Sequence, residues 1–219
     1  MPPLTQFLQE CLLAMSGASM VPGLMAALQS GEVAALLGGF FQEGFLHIIP
    51  HGLDHVLFVL GLFFLCREFG SFLGQVATFT IAHSLTFGLG MLGLVRAPAG
   101  IVEPLIVLSI AFVAVENLFA TKAGNRRQIA VFLFGLVHGL GFAAAFQGAG
   151  AGANAEVLPI ALLALNAGMG TGHLVVVAGA YLAFSSFWKQ AWYRKAVAVP
   201  ASCAIAVVSL TWAVARVAG

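Results

Sequence analysis

Six histidines are the residues of this sequence best suited to carry chemistry, because each of them falls within a long apolar stretch. Ionisable side chains are costly inside a bilayer, so several of them in such stretches indicate a functional site rather than packing. Imidazole is a ligand of zinc, copper, nickel and cobalt ions. The sequence therefore predicts a transition-metal site. Its candidate imidazoles are His47, His51, His55, His83, His138 and His173.

The segment around position 50 holds four candidate ligands within nine residues. His51, Asp54 and His55 follow His47 at offsets of four, seven and eight. In a helix these offsets place the side chains along one stripe, and the opposite positions are apolar. Asp54 is the only aspartate of the chain, and we expect it to be the charged anchor of the site. Pro50 predicts a kink or a restart of the helix here.

The composition excludes most other classes of protein. Of the 219 residues, 61% are hydrophobic and 8% are charged, whereas soluble domains carry roughly 25% charged residues. Nine basic and eight acidic residues leave no positive field for nucleic acid. The three cysteines form no C-x-x-C pair. The chain is therefore predicted to be an integral membrane protein in contact with lipids.

Apolar stretches of about 20 residues are long enough to span the hydrocarbon, and the sequence contains six of them. They predict an all-α polytopic bundle of about six transmembrane spans, formed by residues 40–219. The spans are expected at about Phe40–Cys66, Phe72–Val95, Ile101–Thr121, Gln128–Gln147, Val157–Trp188 and Ala196–Val217.

Residues 1–39 differ from the spans because apolar and polar residues alternate there at helical spacing. This pattern predicts an N-terminal amphipathic helix at the membrane interface, without the basic start and cleavage site of a signal peptide. Its apolar positions are Leu4, Phe7, Leu8, Leu12 and Met15.

The basic residues predict the orientation, because Lys and Arg concentrate in cytoplasmic loops. Seven of the nine fall in the first, third and fifth loops, and only Arg96 and Arg216 fall on the other side. Both termini are therefore expected outside. The seven are Arg67, Lys122, Arg126, Arg127, Lys189, Arg194 and Lys195.

Counting about 1.5 Å per helical residue gives the depth of each polar group. His55, His83 and His138 come out near mid-membrane on three different spans, and His47, His51 and His173 lie further out. The residues therefore predict a shared ion site with outer stations at His47 and His173. The predicted ligands of the ion are His51, Asp54, His55, His83 and His138. Further polar groups of a path across the membrane are Glu116, Asn117 and Asn166.

Two histidines also share a local pattern, F-x3-H-x-L-x-F. It occurs at residues 79–87 and again at 134–142, on two spans that should run in the same direction. The pattern is compatible with a parallel internal repeat of the kind found in transporters.

Five ordered motifs resemble those of the HupE/UreJ-type membrane proteins. They are GFLH at 44–47 continuing to GLDHVLF at 52–58, FTIAHSLT at 79–86, VEPLIVLSI at 102–110, EN at 116–117 and FGLVHGLGFA at 134–143. The resemblance implies a small polytopic protein of the bacterial inner membrane that handles nickel or cobalt for hydrogenase or urease. A homo-oligomer or a metal-delivery partner is compatible with it.

The chain departs from the family pattern on the fifth span. That pattern is similar to N-x-G-V-E-x-G-Q, whereas Asn166 is followed here by Gly170 in place of the acid and by His173 in place of the amide. One hard ligand is lost and one imidazole is gained, so zinc or copper stays open beside nickel and cobalt.

Three functions are compatible with these residues. The first is a permease or channel for a divalent metal ion, not an enzyme, whose uptake weakens below about pH 6.5 because protons compete for imidazole. The second is an intramembrane zinc hydrolase for a lipid-like substrate, with Ser84 near the metal. The third is a haem carrier with two axial histidines.

Overall fold

The computed structural model describes residues 32–66, 68–148 and 158–218, and every regular element in these ranges is helical. The predicted all-α class is confirmed, and the amphipathic helix expected before residue 32 lies outside the described residues. A 3-10 turn and a π-helical turn precede the last helix. The α-helices are α1 (Glu32–Ile48), α2 (Leu53–Leu65), α3 (Phe69–Met91), α4 (Ala99–Phe119), α5 (Asn125–Gly148), α6 (Leu158–Phe184) and α7 (Val199–Ala218).

Five helical segments of the described chain, those containing α3 to α7, are long and apolar enough to cross a membrane. Helices α1 and α2 pass the same test together, and the break between them bends the pair by 61°. The predicted bundle of about six spans is confirmed if this broken pair counts as one span. The interruption lies at residues 49–52, around Pro50.

Helix α2 lies at the centre of the bundle and contacts α1, α3, α4, α6 and α7. Phe58, Val59, Leu62 and Phe63 have no exposed surface, and the helix is hydrophobic all round. Such a helix is stable only when other helices surround it. The side chain of His55, in the first turn of α2, is therefore directed into protein.

The remaining helices form three closely packed pairs, α3 with α5, α1 with α6 and α4 with α7. Helices α3 and α5 run parallel, because Phe79 faces Gly135 and, one turn further along both helices, His83 faces Gly139. The two F-x3-H-x-L-x-F segments thus lie side by side. Helices α4 and α7 run antiparallel, since the start of α4 contacts the end of α7.

Glycine allows the backbones of α3 and α5 to approach closely, as small residues do in membrane bundles. A Cβ atom on Gly135 would lie 2.6 Å from the carbonyl oxygen of Phe79, and one on Gly139 would collide with the carbonyl of His83 and the hydroxyl of Thr86. The same hydroxyl donates a hydrogen bond to the carbonyl of Leu136, 2.7 Å away. These contacts fix the position of His83 relative to α5.

Gly139→Ala should destabilise the bundle, because the added methyl group separates two packed backbones. Overpacking of this kind costs roughly 1–3 kcal/mol. The matched control is Gly74→Ala, at a position of α3 with open space around it. Thermal unfolding in detergent should show a lower midpoint for Gly139→Ala and an unchanged or slightly higher one for Gly74→Ala; equal midpoints would contradict the close contact.

Candidate metal centre

Three imidazoles, one each from α1, α2 and α3, converge at the start of α2. His47 lies in the last turn of α1, His55 in the first turn of α2 and His83 in the middle of α3. One ring nitrogen of each lies within 4.8 Å of one ring nitrogen of the other two. His55 and His83 are 2% and 1% exposed. Ligands of one ion at about 2.0–2.1 Å can be no more than about 4.2 Å apart, so small side-chain movements would complete such a site.

The break at residues 49–52 brings His47 to His55. In an unbroken helix these residues, eight apart, would be about 12 Å apart along the axis. The 61° bend instead brings their ring centroids to 4.9 Å. The sequence predicted that these ligands lie along one helical stripe. In the structure they lie on two helices that meet at an angle. His51 lies in the break and is exposed.

Asp54 contacts His55 on the side of the ring opposite Nε2. Its Oδ1 atom accepts a hydrogen bond from the backbone N–H of His55 at 2.9 Å and lies 3.1 Å from the Nδ1 atom of the ring. The carboxylate also lies in the first turn of α2, where the helix dipole favours negative charge. A carboxylate behind an imidazole orients the ring and makes it a better metal ligand.

His138 and His173 complete a ring of imidazoles around His55. Their ring centroids lie 5.0 Å and 5.8 Å from that of His55. Ser109 contacts His138 and Thr80 contacts His173. His138 is close to His55, but the compact group of three is completed by His47.

Five of these imidazoles have one buried ring nitrogen without a hydrogen-bond partner in the described part of the chain. A buried polar group left unpaired costs roughly 1–3 kcal/mol. Five such atoms in one place indicate that something else binds them. They are Nε2 of His47, His55, His83 and His173 and Nδ1 of His138.

Phenylalanine rings close the space around the imidazoles. Phe142 stacks on His47 with ring centroids 3.6 Å apart. Phe58 and Phe79 both lie within 5.2 Å of His138, centroid to centroid, on the side towards the end of α2. These rings exclude water from the cluster, which strengthens any ion–ligand interaction inside it.

A groove lies beside the break at residues 49–52. It is lined by His51, Asp54, Trp212 and Arg216, among others. The Asp54 side chain is 20% exposed and contacts His55 directly. Asp54 is therefore in contact with both the groove and the imidazole cluster. Arg216 is held at this end by a hydrogen bond to the carbonyl of Glu103, at 3.1 Å.

At the opposite end of the bundle, Arg127 forms a buried polar network. Its guanidinium bonds the carboxylate of Glu116 at 2.5 Å, the side chain of Gln75 at 2.9 Å and the carbonyl of Gly61 at 3.1 Å. Asn117 donates to the same carbonyl at 2.8 Å. These bonds link α2, α3, α4 and α5 near one end of the bundle. Glu116 and Asn117, which were predicted to line a path across the membrane, are part of this network.

One sequence-based assignment differs from the structure. Arg127 was expected in a loop, yet it lies in the first turn of α5 and is 2% exposed. Its only sequence signal is its place directly before a long apolar run. Asn166 donates to the carbonyl of Leu162 in its own helix at 2.9 Å, and none of its described hydrogen bonds reaches the imidazoles.

Comparison with known proteins agrees with these features. A family model described as HupE / UreJ protein matches residues 25–216. This range contains all seven described helices except the last residues of α7, and all six histidines. No curated protein and no solved structure matches the chain. Because the family model covers most of the sequence, the chain belongs to the HupE/UreJ family.

Proposed function

We propose that this protein is a membrane permease for a divalent transition-metal ion, nickel or cobalt, and that His47, His55 and His83 bind the ion as it crosses. The observation that carries the proposal is the group of three ring nitrogens within 4.8 Å of one another, from three helices. Membership of the HupE/UreJ family supports the choice of metals. The ion is the substrate.

The chemistry of the cluster fits a borderline divalent ion. Neutral imidazole nitrogens suit nickel, cobalt, zinc and copper, whereas magnesium and calcium prefer oxygen ligands. Asp54 supplies one negative charge next to His55 and offsets part of the ion's charge. The Oδ1 atom of Asp54 is engaged by His55. The geometry therefore favours a role in which Asp54 orients the His55 ring and does not bind the ion itself.

The arrangement of polar groups along the bundle supports movement of the ion. His51 and Asp54 line the groove at the Arg216 end and would pass the ion to His55. The network around Arg127 lies at the other end. As long as the helices keep this arrangement, the positive charge of Arg127 would oppose the passage of a cation. Transport therefore requires the Arg127 end to rearrange, with Glu116 and Asn117 close to the exit.

We infer that the Arg216 end faces outside, since the basic residues concentrate at the other end. A reporter that matures only outside the cytoplasm, fused after Gly219, should be active in a bacterial inner membrane. The same reporter fused after Lys122 should be inactive. The reverse pattern would contradict this orientation and would reverse the direction of the path.

Replacing His55 or His83 by Ala should abolish high-affinity binding. Each variant removes a ligand. The loss of affinity should therefore exceed about 10–100-fold, which is the loss that follows removal of a group that only orients a ligand. Purified protein would be titrated with Ni²⁺ and Co²⁺ and then tested for uptake of the same ions into liposomes. His51→Ala is the matched control, because it removes an exposed imidazole outside the group of three: it should keep the affinity and slow uptake.

Two results would contradict the permease. One is wild-type affinity in both His55→Ala and His83→Ala. The other is wild-type protein that binds metal and hydrolyses bilayer lipid without moving ions into liposomes, which would favour the zinc hydrolase.

Asp54→Asn should weaken metal binding by about 10–100-fold. The amide keeps the size of the side chain but loses the charge that orients His55 and offsets the ion. Isothermal titration with Ni²⁺ at constant pH measures the change. Glu103→Gln serves as the control at the same end of the bundle, since none of the described hydrogen bonds of that side chain reaches a histidine. An unchanged affinity in Asp54→Asn would remove Asp54 from the site.

A further inference from the structure

Two hydroxyl groups contact His138 and His173, the two imidazoles beside His55 that are not in the group of three. The Oγ atom of Ser109, on α4, lies 2.8 Å from Nε2 of His138. The Oγ1 atom of Thr80, on α3, lies 3.3 Å from Nδ1 of His173. Ser109 and His138 are 1% and 0% exposed, so no solvent competes for the first contact.

The direction of each hydrogen bond follows from the number of hydrogens. A hydroxyl has one hydrogen to donate. Ser109 donates it to the carbonyl of Ile106 at 2.6 Å, and Thr80 donates it to the carbonyl of Val76 at 2.9 Å. With its hydrogen donated to a carbonyl, each hydroxyl accepts from the imidazole that faces it. In this arrangement the ring atom that faces each hydroxyl carries the hydrogen.

This assignment determines which nitrogen is left for a ligand. A neutral imidazole carries one N–H, and its other nitrogen has a free lone pair. His138 then presents Nδ1, and His173 presents Nε2. These are the two atoms of the two rings that are buried without a hydrogen-bond partner in the described chain. Asp54 has the same effect on His55, where Nδ1 is engaged and Nε2 is bare.

We propose that Ser109 and Thr80 are positioning residues that hold His138 and His173 in opposite tautomers, so that both rings present a bare nitrogen to the ion bound beside His55. The inference rests on the proposed function. It extends the site from three imidazoles to five. It also gives a role to Ser109 and Thr80, which are not metal ligands themselves. A ligand set of this kind is composed of nitrogen and favours borderline divalent ions over magnesium or manganese.

The chain offers matched controls for both hydroxyls. Ser209 is a buried serine of α7 whose described hydrogen bonds go only to carbonyls of its own helix. Thr171 on α6 likewise bonds only the carbonyl of Ala167. Substitutions at these positions remove a helix-bonded hydroxyl from the bundle without removing a contact to a ring.

The first test measures affinity for Ni²⁺ and Co²⁺ in the purified full-length protein. Ser109→Ala and Thr80→Val should each weaken binding by about 10-fold or more, as loss of a group that orients a metal-binding imidazole does. Ser109→Thr and Thr80→Ser should restore it, because they keep the hydroxyl. Ser209→Ala and Thr171→Val should bind as wild type. Equal affinities in wild type, Ser109→Ala and Thr80→Val would overturn the proposal.

The second test reads the tautomers without metal. In protein labelled with ¹⁵N-histidine, solid-state NMR separates rings protonated at Nδ1 from rings protonated at Nε2. His138 should carry its hydrogen on Nε2, and His173 should carry it on Nδ1, with each signal assigned by its loss in His138→Asn or His173→Asn. Ser109→Ala should release His138 into a mixture of both tautomers, whereas Ser209→Ala should leave it unchanged.

The two tests separate this inference from the proposed function. Wild-type protein that shows the expected tautomers but binds no divalent ion contradicts the permease and supports the assignment of the hydroxyls. Wild-type protein that binds metal while His138 carries its hydrogen on Nδ1 overturns the role of Ser109 and leaves the permease standing.

Discussion

The rest of the structure depends on one constraint, which is that imidazole nitrogens buried inside a bilayer have no water to bond. Each polar group at that depth needs a partner within the protein or a bound ligand. Asp54, Ser109 and Thr80 each engage one nitrogen of a ring. The other nitrogen of each ring stays bare and buried. A single cation placed among these atoms would satisfy several of them at once, which no additional side chain of similar size could do.

The helices are arranged so that such a cluster can exist. The break around Pro50 lets α1 end and α2 begin at the same level, so that two histidines of one segment meet. Glycines at positions 135 and 139 bring α5 against α3, and those at positions 168 and 172 do the same between α6 and α1. Because α2 is short and packs against five other helices, its first turn can be surrounded by imidazoles from the α1/α6 and α3/α5 pairs.

Periodicity and hydropathy were sufficient to predict the helices and the proximity of His55 and His83, because both properties are local. They could not predict that His47 joins these two, since the angle at a helix break depends on what the two halves pack against. Arg127 illustrates the same limit. The positive-inside rule assigns a flanking arginine to a loop, whereas the partners that allow its burial, Glu116 and Gln75, come from other helices. Helix-to-helix hydrogen bonds of this kind leave no trace in local sequence.

The substitutions on α6 bear on whether the cluster retains an ion or releases it. Gly170 stands where the family pattern has an acid, and the space beside it is open, so its smallness is not required for packing. His173, in place of the amide of that pattern, adds an imidazole nitrogen close to His55. The cluster therefore has more nitrogen and less negative charge than the family pattern implies. Less charge weakens the long-range attraction for a dication, while imidazoles preserve selectivity for the borderline metals. The proposed permease must bind an ion well enough to admit it and weakly enough to release it; under that proposal, this exchange shifts the balance towards release.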